Sequence, residues 1–185
     1  MKIYYTRHGQ SRWNLERKLC GRIDIGLTEK GLEQARELAE KASGLGIDLI
    51  ISSPLKRARD TAEEVSKKIG APVITDERLL EMSYGDFEGT DFYGEAFRKV
   101  NNQIAMRFPG GESRLDAACR VYSFLDELRA KYPDRTILLV AHGGISKLVN
   151  AYFEDMTNDE FFDYILPNCE LKEYNVSPLE SPAKE

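Results

Sequence analysis

Apolar residues along the chain follow two rhythms. Lys2 to Thr6 and Thr136 to Ala141 are short stretches rich in β-branched and aromatic residues, and Asp48 to Ser52 carries a third, built on Leu49, Ile50 and Ile51. Such runs predict buried strands. Elsewhere apolar residues recur at helical spacing: Leu32, Ala35, Leu38, Ala39 and Ala42; Leu55, Ala58, Ala62, Val65 and Ile69; Leu115, Ala118, Tyr122, Leu125 and Leu128. Each set predicts a helix with one apolar face. Thr28 is placed to cap the first helix, Ser53-Pro54 offers a cap followed by proline at the first helical position, and Gly44 and Gly70 can close the first two helices. A further helix is expected to begin at Gly143-Gly144, and Asn168 to Val176 predicts a last strand.

Alternation of strand and helix predicts a parallel α/β sheet covered by helices on both faces. Residues 1–176 are expected to form a single domain, with the Pro-, Ser- and charge-rich residues 177–185 as a frayed tail. Residues 83–113 interrupt the rhythm with glycines, aromatics and one predicted helix from Glu95 to Met106. A long connection of this kind suits a lid or binding loop.

Charge and composition narrow the classes of partner. The net charge is −5, with acidic and basic residues mixed along the 185 residues, so no basic face is concentrated enough for nucleic acid. Nothing approaches the apolar length of a membrane span, and Lys2 and Arg7 come too soon for a signal peptide. The three cysteines, Cys20, Cys119 and Cys169, lack metal-ligand spacing and suit a reduced compartment. A cytoplasmic protein is expected. No cysteine has an arginine six residues later, which excludes a cysteine-nucleophile phosphatase. Cys20 is close enough to the first motif for a position in a pocket. Phe161, Phe162 and Tyr164, expected to be exposed, leave both a monomer and a homodimer open.

Both of the chain's histidines occupy the same setting, directly after a predicted strand and directly before glycine: Arg7-His8-Gly9 and Ala141-His142-Gly143-Gly144. One histidine there would be an ordinary core residue; two, with none elsewhere, suggest a site. In open α/β sheets ligands bind beyond the carboxyl ends of the strands, where the Ser52 to Arg57 turn would also emerge. Two imidazoles with the guanidiniums of Arg7 and Arg57, beside helix N-termini, suit a phosphate group.

The motifs Arg7-His8-Gly9-Gln10-Ser11 with Trp13-Asn14, Gly21 to Gly31, Ser52 to Ala62, Leu80-Glu81 with Gly85 to Gly89, Pro109 to Ser113, and Val140 to Gly144 closely resemble the histidine phosphatase superfamily, in the branch that contains the phosphoglycerate mutases. The resemblance runs from about Ile3 to Tyr174. It implies a three-layer α/β/α fold with a mostly parallel central sheet, as in phosphoglycerate mutase. It also implies that His8 is the phosphorylated nucleophile, with Arg7, Arg57 and His142 completing the phosphate pocket and Glu81 as proton donor. Asn14 and Gly143, with Ser11 and Gln10, are implied as substrate contacts; Gln10 stands where many relatives have glutamate.

The chemistry agrees with those roles. Attack by a neutral imidazole on phosphorus needs the negative charge spread over the equatorial oxygens to be neutralised by neighbouring positive groups, and the leaving alkoxide needs a proton. No metal or other cofactor is called for, since no carboxylate–histidine ligand cluster or P-loop is present. The expected partner is a small phosphorylated metabolite. Only residues 90–108 separate Gly89 from Pro109. So thin a lid excludes water poorly and favours hydrolysis over the alternative of phosphoglycerate mutase-type transfer to a second hydroxyl. The remaining alternative is a catalytically idle relative that binds phosphate in regulation.

Overall fold

The structure, a computed structural model, describes residues 1–176; the expected tail at 177–185 lies outside them. Five strands form one sheet: β1 (Lys2–Arg7), β2 (Leu49–Ser52), β3 (Val73–Thr75), β4 (Thr136–Ala141) and β5 (Leu171–Asn175). Their order is β3-β2-β4-β1-β5, parallel throughout except for β5, which runs antiparallel along β1. The helices are α1 (Arg12–Leu15), α2 (Glu29–Ala42), α3 (Lys56–Ile69), α4 (Glu95–Asn101), α5 (Arg114–Lys131), α6 (Gly143–Phe153) and α7 (Asn158–Asp163).

Strand periodicity divides the core into two layers, because successive side chains point to opposite faces. Ile3, Tyr5, Ile51, Ile137, Leu139 and Ala141 pack with Val121, Leu125, Ile145 and Leu148 of α5 and α6. Tyr4, Ile50, Leu138 and Val140 pack with Leu38, Ala39, Ala58, Ala62 and Val65 of α2 and α3. Central strands buried on both faces explain the continuous apolar run of β4. The expected α/β/α layering and mostly parallel sheet are therefore observed.

Several elements differ from the sequence expectation. β3 was not anticipated: Val73, Ile74 and Thr75 are β-branched, but three residues at the sheet edge, half-buried or exposed, are too short a run to show a strand period. The short helices α1 and α7 were also missed. The helix expected over Glu95 to Met106 stops at Asn101, and Ile104 and Met106 are exposed beyond it. α3 begins at Lys56 with Leu55 at its N-cap and no side-chain cap, so Ser53-Pro54 does not start it. Thr28 does cap α2, and Gly70, in the left-handed conformation at φ 77°, closes α3. Phe161 is buried, while Phe162 and Tyr164 are half-buried, so these aromatics are not the exposed surface expected of them.

Candidate active site

Three neighbouring strands, β2, β4 and β1, deliver the site at their carboxyl ends. His8 follows β1 and donates its backbone N–H to Ala141 O at 3.0 Å; Ser53 follows β2 and donates to Val140 O at 3.0 Å. His142 follows β4, and its backbone is clamped by Tyr5, whose hydroxyl donates to His142 O at 2.7 Å and accepts from His142 N at 3.0 Å. The two imidazoles meet edge to face with centroids 5.1 Å apart. His8, Arg57 and His142 are 3%, 0% and 0% exposed, so this is a desolvated cluster.

Hydrogen bonding fixes the state of His8. Its Nδ1 lies 2.7 Å from Gly9 O, an acceptor, so the proton sits on Nδ1 and the lone pair on Nε2. Arg57 Nε donates to that Nε2 at 3.2 Å. Burial, followed by the charges of Arg57 and Arg7, pushes the imidazole well below its ordinary range, so His8 is neutral. His142 is pushed down in the same way, first by burial and then by Arg57. His142 Nε2 is 2.8 Å from Ser53 Oγ, while its Nδ1 and the Nε of Arg7 are buried polar atoms without a partner among the described residues. Arg7 Nε–H is an open buried donor, and His142 Nδ1 is another in the tautomer whose Nε2 accepts from Ser53 Oγ; beside the His8 lone pair they are suited to an anion.

Arg57 is held from behind. Its Nη1 and Nη2 donate to Ile23 O at 3.0 Å and Gly21 O at 2.7 Å. That carbonyl loop is fixed in turn by Glu88, which accepts from the backbone N–H groups of Arg22, Ile23 and Tyr84. A Cβ on Gly21 would lie 2.1 Å from Glu88 Oε1 on a backbone at φ 45°, so only glycine fits there.

Glu81, 8% exposed, accepts from Met82 N at 2.8 Å and from Gly144 N at 3.0 Å. A Cβ on Gly144 would stand 2.5 Å from Glu81 Oε1, so the second glycine of the His142-Gly143-Gly144 turn makes room for the acid. Glu112, a neighbouring carboxylate, is committed instead to Arg22 and Arg120 at 3.2 and 2.7 Å and to Ser83 N at 3.0 Å.

A cavity of about 810 Å³ opens over this cluster, lined by Arg7, His8, Asn14, Arg57, Glu81 and Gly143. Phe92, Tyr93, Phe97, Arg98, Asn101 and Asn102 of the 83–113 excursion form part of its wall. Cys20 also lines it, with burial raising its thiol. Two expected substrate contacts are engaged elsewhere. Ser11 Oγ caps α1 through Asn14 N, and Gln10 bonds Thr28 and Gln34 at the start of α2; neither lines the cavity. Sequence reasoning missed Ser53, Tyr84, Arg114 and Lys147, whose residue types carry no signal until distant segments are brought together. Among the described residues, no three His, Cys, Asp or Glu side chains group as metal ligands, and no helix is long and apolar enough to cross a membrane.

Residues 3–180 match the family model of the histidine phosphatase superfamily (branch 1), and the chain belongs to that family. It is 38% identical over 182 residues to a Hydrogenobacter thermophilus protein provisionally named phosphoserine phosphatase 2, covering 95% of this chain and 89% of the relative. An Escherichia coli protein provisionally named phosphoglycerate mutase GpmB is 38% identical over 150 residues, 77% of this chain and 70% of that one. The solved structure of mycobacterial glucosyl-3-phosphoglycerate phosphatase with VO3 superposes with a TM-score of 0.83 at 32% identity, covering 93% of this chain and 91% of that one.

Proposed function

We propose that the protein is a metal-independent phosphatase that hydrolyses a small phosphate monoester through a covalent phosphohistidine on Nε2 of His8. The observation that carries the reading is a neutral, buried His8 whose lone pair is on Nε2, where Arg57 Nε donates at 3.2 Å, with the open polar atoms Arg7 Nε and His142 Nδ1 close by. In the first step Nε2 forms the N–P bond as the ester P–O bond breaks, with Arg7, Arg57 and His142 donating to the equatorial oxygens. Glu81 gives its proton to the leaving oxygen. Water then attacks phosphorus and passes a proton to the Glu81 carboxylate as the N–P bond breaks, which frees phosphate and restores His8. Asn14 and the N–H of Gly143 are further contacts to the substrate phosphate in this reading.

Residues 1–176 act as one catalytic domain with 83–113 as its cover, supported by the share of the cavity wall that segment supplies. A cytoplasmic location is supported by the free thiols of Cys20, Cys119 and Cys169. The mutase reading has the likeness to GpmB in its favour.

Quenching during turnover of a labelled ester is the test. The label is expected on His8 in an acid-labile, base-stable form, and His8→Ala is expected to lose turnover. Label on serine, aspartate or cysteine overturns the mechanism. Incubation with 3-phosphoglycerate and a bisphosphoglycerate primer is expected to release phosphate faster than it isomerises the substrate; the opposite ratio establishes the mutase.

A further inference from the structure

The main-chain carbonyl of Glu81 accepts from two guanidiniums. Arg22 Nε donates to Glu81 O at 3.4 Å, and Arg120 Nη2 donates to the same oxygen at 3.3 Å. Two like charges can converge on one carbonyl because Glu112 stands between them. Its Oε2 accepts from Arg22 Nη2 at 3.2 Å and from Arg120 Nε at 3.3 Å, and its Oε1 accepts from Arg120 Nη2 at 2.7 Å and from Ser83 N at 3.0 Å. Arg120 is anchored further by Nη1, which donates to Arg78 O at 2.6 Å. The three side chains come from separate segments, Arg22 from the loop before α2, Glu112 from the turn before α5 and Arg120 from α5 itself. None of them lines the cavity.

The carbonyl that they hold belongs to the peptide unit whose other end is the N–H of Met82, and that N–H donates to Oε1 of Glu81 at 2.8 Å. A peptide unit is planar, so a carbonyl fixed in direction fixes the direction of its N–H as well. The two guanidiniums therefore aim one of the two donors that hold the Glu81 carboxylate, the other being Gly144 N. Arg22 has a second attachment. It lies between Gly21 and Ile23, whose carbonyls hold Arg57, so its side chain ties the support of the phosphoryl pocket to the support of the acid. We infer that Arg22, braced by Glu112 and Arg120, is a positioning residue that sets the Glu81 carboxyl for proton delivery by way of the Glu81–Met82 peptide. The inference deepens the proposed mechanism and rests on Glu81 as its proton donor.

The experiment measures burst rates of Arg22→Met with an alkyl phosphate and with p-nitrophenyl phosphate. The side chain of Arg22 is 41% exposed, so the variant is expected to fold, which thermal melting checks. The burst is expected to slow about tenfold with the alkyl ester, which needs the proton, and less than about threefold with the nitrophenyl ester. Equal losses overturn the inference, because a general loosening of the fold or of the Arg57 loop affects both esters alike. In a Glu81→Gln background no acid is left to aim, so Arg22→Met is expected to cost the alkyl ester less than about twofold further. The full tenfold loss in that background overturns the inference too. The two levels of reading separate cleanly. If Glu81→Gln by itself slows both esters equally, Glu81 is not the donor, and the mechanism and the brace fall together; if it singles out the alkyl ester and Arg22→Met does not, the brace alone falls. A crystal structure of Arg22→Met decides the matter without turnover: a turned Glu81–Met82 peptide with the contact between Met82 N and Glu81 Oε1 lost upholds the brace, and an unmoved peptide overturns it.

Discussion

Arg57 donates its Nε–H to Nε2 of His8 across 3.2 Å while its two Nη atoms are tied to Gly21 O and Ile23 O. One planar fork thus aims at His8, the nucleophile of the proposed mechanism, and is itself immobilised by main-chain carbonyls. In that mechanism the incoming phosphoryl group meets a cation that needs no reorganisation. A lysine has neither the plane nor the number of donors for this arrangement. Arg57→Lys is expected to lower kcat/KM about 10²- to 10³-fold, the range for losing one preorganised electrostatic contact. Steady-state kinetics on p-nitrophenyl phosphate checks it, and a loss below threefold would show that charge alone suffices.

Glu88 reaches Arg57 only through peptide groups, holding the N–H groups of the loop whose carbonyls hold the guanidinium. It is a positioning residue. Glu88→Ala leaves three main-chain donors to find new partners, with an expected stability cost of about 1–3 kcal/mol. The rate of His8 phosphorylation should fall by roughly tenfold or more as the fork loses its backing. Glu88→Gln, which keeps an acceptor, should recover part of both. Thermal melting and burst kinetics measure the two effects, and a stability loss with an unchanged burst would make Glu88 purely structural.

The depressed imidazoles of His8 and His142 make stability depend on pH with a definite sign. Both remain neutral in the folded protein, whereas in the unfolded chain they take up protons below about 6.5. The unfolded state then binds more protons, so stability falls as pH drops through that range, by up to about 1.4 kcal/mol per pH unit for each histidine. Denaturant midpoints between pH 7 and pH 5 should show a decline that flattens in His8→Gln. The same slope in variant and wild type would mean that His8 is not held neutral.

The central strands and their helices were legible because period-2 and helical apolar patterns describe burial directly. Both histidines were legible because strand, histidine and glycine follow one another in the chain. Ser53 was misread for a physical reason: Ser-Pro before a helical pattern looks like a cap, but its hydroxyl serves His142, 89 residues away in sequence. Arg114 and Lys147 look like ordinary surface cations until α5, α6 and α7 are packed together. Gln10 and Ser11 lie inside a motif yet serve α2 and α1, because motif membership does not say which way a side chain turns.

Glu81 is the proton donor in the proposed mechanism, and its test follows from the charge that builds on the leaving oxygen. An alkoxide leaves poorly and needs the proton in the transition state, whereas a nitrophenolate is stable as an anion and needs it little. Glu81→Gln keeps the size of the side chain and, through its amide oxygen, one of the two acceptors that meet Met82 N and Gly144 N, but sets its NH2 against the other N–H, a cost that both esters share and their comparison cancels. First-step phosphorylation of His8 should slow about 10²- to 10⁴-fold with an alkyl phosphate, the usual contribution of general acid catalysis, and less than tenfold with p-nitrophenyl phosphate. Steady-state rates would mix in the second step, where the same carboxylate takes a proton from water, so the pre-steady-state burst is the readout. Equal losses for both esters would give Glu81 a positioning role. Glu112, bound to Arg22 and Arg120, and Glu88, bound to three main-chain N–H groups, are poorly placed to take over as donors. In that outcome the leaving oxygen would have to take its proton from solvent while the His8 chemistry stood unchanged.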